Sequence, residues 1–155
     1  MPATTRVSVR ASFVYFILGS ALGALLLVNR WIPLWDGLFD LRDSHVVFVV
    51  DGWVTQLILG VGWWLLPPLH IGLKPGDSSW KRRGQTQRGS EPLFWAIIGL
   101  LNAGIVLRAL CAPLYEWTGV RLFDVLAGIA PFLLLAAAVG FVAIMWGRVR
   151  ELKRR

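Results

Sequence analysis

Four long apolar runs, at about residues 11–28, 45–66, 92–112 and 122–146, dominate the chain. As a helix, each is long enough to cross a hydrocarbon layer ~30 Å thick, given flanking residues for the shortest. Most prolines and most of the charge fall outside the runs. The chain is 56% apolar with a mean hydropathy of +0.62, well above the ~45–50% of a soluble domain. The expected fold is therefore all-α: a single integral membrane four-helix bundle over residues 1–155. The short basic lead, with Arg6 and Arg10, also suits a signal peptide. The length of the run behind it, and the three runs that follow, favour a retained helix.

Charge sets the expected orientation. The lead, the polar loop 69–91 and the C-terminal tail carry twelve Lys and Arg, whereas the two short connections carry three, Arg30, Arg42 and Arg121, with five acids (Asp36, Asp40, Asp43, Glu116 and Asp124) in them or just beyond. Basic residues collect on the cytoplasmic side of membrane proteins. Both termini and loop 69–91 are thus expected in the cytoplasm, with the 29–44 and 113–121 connections outside. The net charge of +7 is distributed for membrane topology and anionic lipid, not for nucleic acid.

The second run, HVVFVVDGWVTQLILGVGWWLLPP, carries the chemistry. It starts with His45, one of two histidines. Followed down a helix, His45 shares a face with Val49, Gly52, Gln56 and Gly60, at offsets of 4, 7, 11 and 15 residues. Two glycines there let something flat approach the backbone. Asp43 or Ser44 is the expected cap of this helix, and Pro67 and Pro68 stop it. His70 is 25 residues from His45, ~37 Å along a helix. The two cannot clamp one group, and His70 reads as a surface residue. His45 itself has a plain alternative reading, a helix-start histidine bonded to water or backbone.

Two further charges fall inside apolar runs. Asp51 and Arg108 lie at matching depths on antiparallel helices. Either charge alone costs ~2.5–3.5 kcal/mol or more at a membrane centre, so the two are expected to pair. A histidine above a glycine-lined groove in a membrane helix can hold a heme, and the competing role for Arg108 is to neutralise that heme's propionates. Gln56 and Asn102 are candidates for interhelical hydrogen bonds, and Gly19 with Gly23 for close helix packing. Trp31, Trp35, Trp63, Trp64, Trp117 and Trp146 are expected near membrane interfaces. Pro113 is expected to end the third helix and Pro131 to kink the fourth. The single cysteine, Cys111, permits no intrachain disulfide and is read as packing.

The second run resembles the ligand-bearing helices of heme-copper oxidase subunit I and its relatives. There an outer histidine is followed by an apolar stretch, glycines some fifteen residues on, and a W-L-x-P ending. Here these are His45, Gly60 and Trp64-Leu65-Leu66-Pro67. The likeness covers about 25 residues. It implies heme b, one per subunit or shared between subunits, with iron held by His45 and the pocket lined by Val49, Gly52, Gln56, Gly60 and Arg108. The large family subunit has twelve helices in three arcs of four, so this chain looks like one arc standing alone. A homotrimer would rebuild the whole.

The departures from the family pattern matter equally. An H-x-H pair is missing, with Val47 in its second position, and the few histidines leave no copper site. The expected function is electron transfer or heme-based redox chemistry in a bacterial inner membrane, with a redox protein or quinone as partner. Whether any reaction is catalysed is left open. The alternatives are a heme-free structural or assembly subunit, and a heme protein that binds a gas such as nitric oxide.

Overall fold

A computed structural model of the protein describes residues 1–66 and 90–152, and it is helical nearly throughout. We label the helices α1 (Ala3–Trp31), α2 (Asp36–Leu65), α3 (Glu91–Thr118) and α4 (Arg121–Leu152). All four contain a span long and apolar enough to cross a membrane. His70, Pro67, Pro68 and the basic cluster of loop 69–91 lie outside the described residues.

The helices stand in a row, α1–α2–α3–α4. Among the described residues consecutive helices make most of the contacts, with a smaller one between α1 and α3. The all-α arrangement of four long apolar helices agrees with the fold expected from the sequence. The apolar core lies mainly on α3, where Phe94, Ile97, Ile98, Leu101, Ile105 and Ala109 are buried between α2 and α4. The terminal helices expose apolar side chains such as Ile17, Leu27, Phe132 and Val139.

Helix α1 is inverted relative to a soluble amphipathic helix. Its buried residues are Thr4, Thr5, Ser8, Ser12, Gly19 and Asn29, with no large apolar side chain among them. Polar and small groups face the neighbouring helix while the apolar ones face outward. That arrangement suits an apolar solvent, where burying hydrocarbon brings no gain and close packing with hydrogen bonding draws helices together.

Several boundaries differ from expectation. Helix α1 begins eight residues early, so the basic lead is its first two turns. The 29–44 connection shrinks to residues 32–35, because Asp36–Leu41 coil as a 3-10 helix continuous with α2. Asn29 closes this tight turn: its Oδ1 accepts from Leu34 N and Trp35 N, and its Nδ2 donates to Trp35 O. Neither Asp43 nor Ser44 is therefore a cap.

Helix α3 begins behind Ser90, whose Oγ accepts from Leu93 N. It runs straight through Pro113 to Thr118 and ends on Gly119 in the left-handed conformation, φ 66°. A proline cannot donate to the carbonyl four residues back, which here is Ala109 O. Ser44 Oγ donates to that oxygen at 2.7 Å, so the carbonyl that Pro113 leaves open is satisfied from α2. Helix α4 likewise continues past Pro131.

Candidate ligand site around His45

The face of α2 that begins at His45 is covered by α1. The two helices run antiparallel with glycines on both sides of the contact. His45 Nδ1 lies 2.8 Å from Gly19 O, and its ring crosses Gly23, where a Cβ would come within 2.6 Å of Cε1. One turn on, Val49 packs on Gly19. Further along, the order reverses and α2 supplies the gap. A Cβ on Gly52 would lie 2.6 Å from Tyr15 Cγ, and one on Gly60 2.8 Å from Ser8 Oγ. Ser8 Oγ also donates to Gln56 O at 3.1 Å. The close packing expected of Gly19 and Gly23 is thus with α2.

His45, Val49, Gly52, Gln56 and Gly60 do share one face, as the spacing requires. They keep it across a wide turn: Phe48–Thr55 is π-helical, with Gln56 N–H paired to the Asp51 carbonyl five residues back. Yet Gly52 and Gly60, which the sequence offers to a flat group, receive Tyr15 and Ser8 instead. A porphyrin does not fit against these glycines while α1 is docked.

The imidazole is another matter. A carbonyl only accepts, so the contact to Gly19 O places the proton on Nδ1. Nε2 makes no hydrogen bond among the described residues, and in the neutral ring it carries a free lone pair. Backbone-anchored Nδ1 with bare Nε2 is the arrangement that orients a histidine for iron.

Arg108 does not pair with Asp51. Its Nε and Nη2 grip Asp43 Oδ2 and Oδ1 at 3.0 and 3.1 Å. Asp43 lies two turns nearer the His45 end, so the long side chain reaches toward the end of the helix, where charge is cheaper to hold. A two-pronged bond to one carboxylate rewards that reach. Asp51 is half-buried and makes no hydrogen bond among the described residues; Arg108 acts on it only through space. Nearby, Trp117 Nε1 donates to Asp40 Oδ2 at 2.9 Å, and the Trp35 and Trp117 rings meet at 5.2 Å.

Three other residues resolve in unexpected ways. Tyr15, for which the sequence suggests no partner, donates to Asn102 Oδ1 at 2.8 Å, tying α1 to α3. Trp63, expected at an interface, is buried and stacked on Phe94 at 4.4 Å. Arg148, which reads as part of a basic tail, is 1% exposed. It donates to Trp63 O and Leu66 O, the bare carbonyls ending α2, and lies 5.2 Å above the Trp63 ring. The last carbonyls of a helix need such a donor. The available signal is phase, since Arg148 continues the α4 face of Ala137, Phe141 and Met145.

No group of three or more His, Cys, Asp or Glu side chains able to hold a metal ion occurs among the described residues. Cys111 is buried with a free thiol.

Fold and site together define, among the described residues, a helical protein with four candidate membrane spans and one backbone-anchored imidazole between the first two. No family model, curated protein or solved structure matches the chain.

Proposed function

We propose that the protein is a multi-pass bacterial inner-membrane heme b protein, with both termini cytoplasmic, that serves electron transfer or heme-based redox chemistry. The observation that supports this most is the anchoring of His45. Gly19 O accepts from Nδ1–H, which leaves Nε2 as the nitrogen that could meet a ligand. The likeness of His45, Gly60 and the Trp64–Pro67 ending to ligand helices of heme-copper oxidases points the same way.

Residues of this chain have definite tasks in that reading. His45 would hold the iron through Nε2, with Gly19 O setting the tautomer and ring angle of the imidazole. Arg108 keeps Nη1 for a propionate while Asp43 holds its other donors. Because α1 covers Gly52 and Gly60, the remaining walls come from another copy of the chain in a homo-oligomer, with a trimer favoured by the single-arc reading. Bound heme b would supply a one-electron couple and, if five-coordinate, a position for a small gas.

Native mass spectrometry of the detergent-solubilised protein tests this directly. The expected result is an oligomer carrying the mass of heme b. A heme-free monomer contradicts it.

The packing of the His45 ring across Gly23 favours a second reading, a heme-free structural or assembly subunit. In that case His45 is simply a clamp between α1 and α2, and its loss weakens packing without changing any visible chromophore.

A further inference from the structure

Asp51 stands at mid-height of the helices with no group bonded to it. It is the sixteenth of the 30 residues of α2. The Tyr15 ring crosses its neighbour Gly52, and Tyr15 in turn donates to Asn102. Residues 15 and 102 each lie within three residues of the midpoints of α1 and α3. Three helices thus put this level near the centres of their apolar spans. Val49, Val50, Trp53 and Val54 flank Asp51 in the chain, and its carboxyl is half-buried without a hydrogen bond among the described residues.

Few charged or titratable groups surround it. On α3, Arg108 gives Nε and Nη2 to Asp43 and acts on Asp51 only through space. On α1, Tyr15 spends its hydroxyl proton on Asn102. On α2 itself, Asp43 lies two turns nearer the His45 end and repels a second negative charge. His45 is six residues away, with Nδ1 at Gly19 O.

We propose that Asp51 is a proton-binding site in the middle of the membrane span, its carboxyl carrying a proton where no hydrogen bond or contact ion pair holds a charge. An ionised carboxylate without a close partner is costly in hydrocarbon, and taking up a proton removes that cost. A metal cation suits the place less well. Hard cations gather about six or more oxygens, and the described residues contain no group of three His, Cys, Asp or Glu able to hold one. The inference rests on the membrane-spanning part of the function proposed above and not on heme at His45.

The test uses an apolar carbodiimide. Membranes carrying the protein are washed at alkaline pH to strip peripheral proteins, then treated near neutral pH with N,N′-dicyclohexylcarbodiimide. This reagent enters hydrocarbon and adds to carboxyls that carry a proton. Peptide mass spectrometry is expected to find the acylurea adduct forming on Asp51 roughly tenfold faster or more than on Asp36 and Asp124, which are exposed near helix ends. Sodium added at constant pH is expected to leave that rate unchanged, and Asp51→Asn is expected to abolish the adduct. Labelling of Asp51 no faster than of Asp36, suppression by sodium, which marks a cation site instead, or an adduct that survives Asp51→Asn overturns the proposal. Protein lost in the alkaline wash overturns the membrane reading together with the proton site. Protein retained in the membrane without the adduct overturns the proton site alone.

Discussion

Ser44 supplies the hydrogen bond that Pro113 removes. Its hydroxyl sits 2.7 Å from Ala109 O, the carbonyl that the proline ring leaves without a donor. The serine on one helix and the proline on another thus act as one unit. Ser44→Ala strands a buried carbonyl and is expected to cost about 1–3 kcal/mol. In a Pro113→Ala background the helix restores its own bond, and the same substitution becomes nearly neutral. A double-mutant cycle by thermal unfolding in detergent measures this coupling. Equal losses in both backgrounds would show that Ser44 acts elsewhere.

The charge pair gives a second cycle. Arg108 and Asp43 are 37% and 44% exposed, so the pair is screened wherever water reaches it, and a coupling of about 0.2–1 kcal/mol is expected. Combining Arg108→Gln with Asp43→Asn should be less harmful than the separate losses added together. Arg108→Gln with Asp51→Asn should be close to additive. The reverse pattern would restore the Asp51 pairing that matching depth suggests.

Glycine substitutions separate contact from propensity. Gly52→Ala forces a methyl into the Tyr15 ring and is expected to destabilise by roughly 1–3 kcal/mol through overpacking. At Gly99 a Cβ would meet nothing within 4 Å. Gly99→Ala should therefore be neutral or stabilising by about 0.5–1 kcal/mol, the intrinsic helix gain. Similar effects at both sites, read by thermal unfolding, would argue against a tight α1–α2 contact.

Arg148 makes a prediction that fluorescence can read. Arg148→Gln shortens the donor that caps α2 and removes the cation above Trp63. Unfolding should begin at lower temperature, by about 2–5 °C, and the Trp63 emission should shift. Trp63→Phe identifies which part of the spectrum belongs to that ring. An unchanged spectrum with unchanged Tm would place Arg148 outside the packed structure.

What can be read from sequence follows from where the governing interaction lies. Apolar runs report their own partition energy, so the four helices are visible one at a time. Gly19, Gly23, Gly52 and Gly60 announce close approach, and His45 through Gly60 do share a face. What approaches them is not visible, because Tyr15 and Ser8 come from a helix whose buried side is polar and whose outer side is apolar. The end of α3 is misplaced by local rules: the carbonyl that Pro113 leaves open is satisfied from a residue 69 positions away from the proline in sequence, and those rules cannot see Ser44. Arg148 is hidden for a similar reason: its partners are carbonyls of α2, and a carbonyl has no letter in the sequence. Matching depth selects Asp51 for Arg108, whereas side-chain length and direction select Asp43.

The central claim is that Nε2 of His45 binds heme iron, and the visible spectrum of the purified protein beside that of His45→Ala tests it most directly. The account predicts a Soret band in the parent that is lost or strongly shifted in the variant, while both proteins remain helical by circular dichroism. A parent without a Soret band, or a band unchanged in His45→Ala, would contradict it.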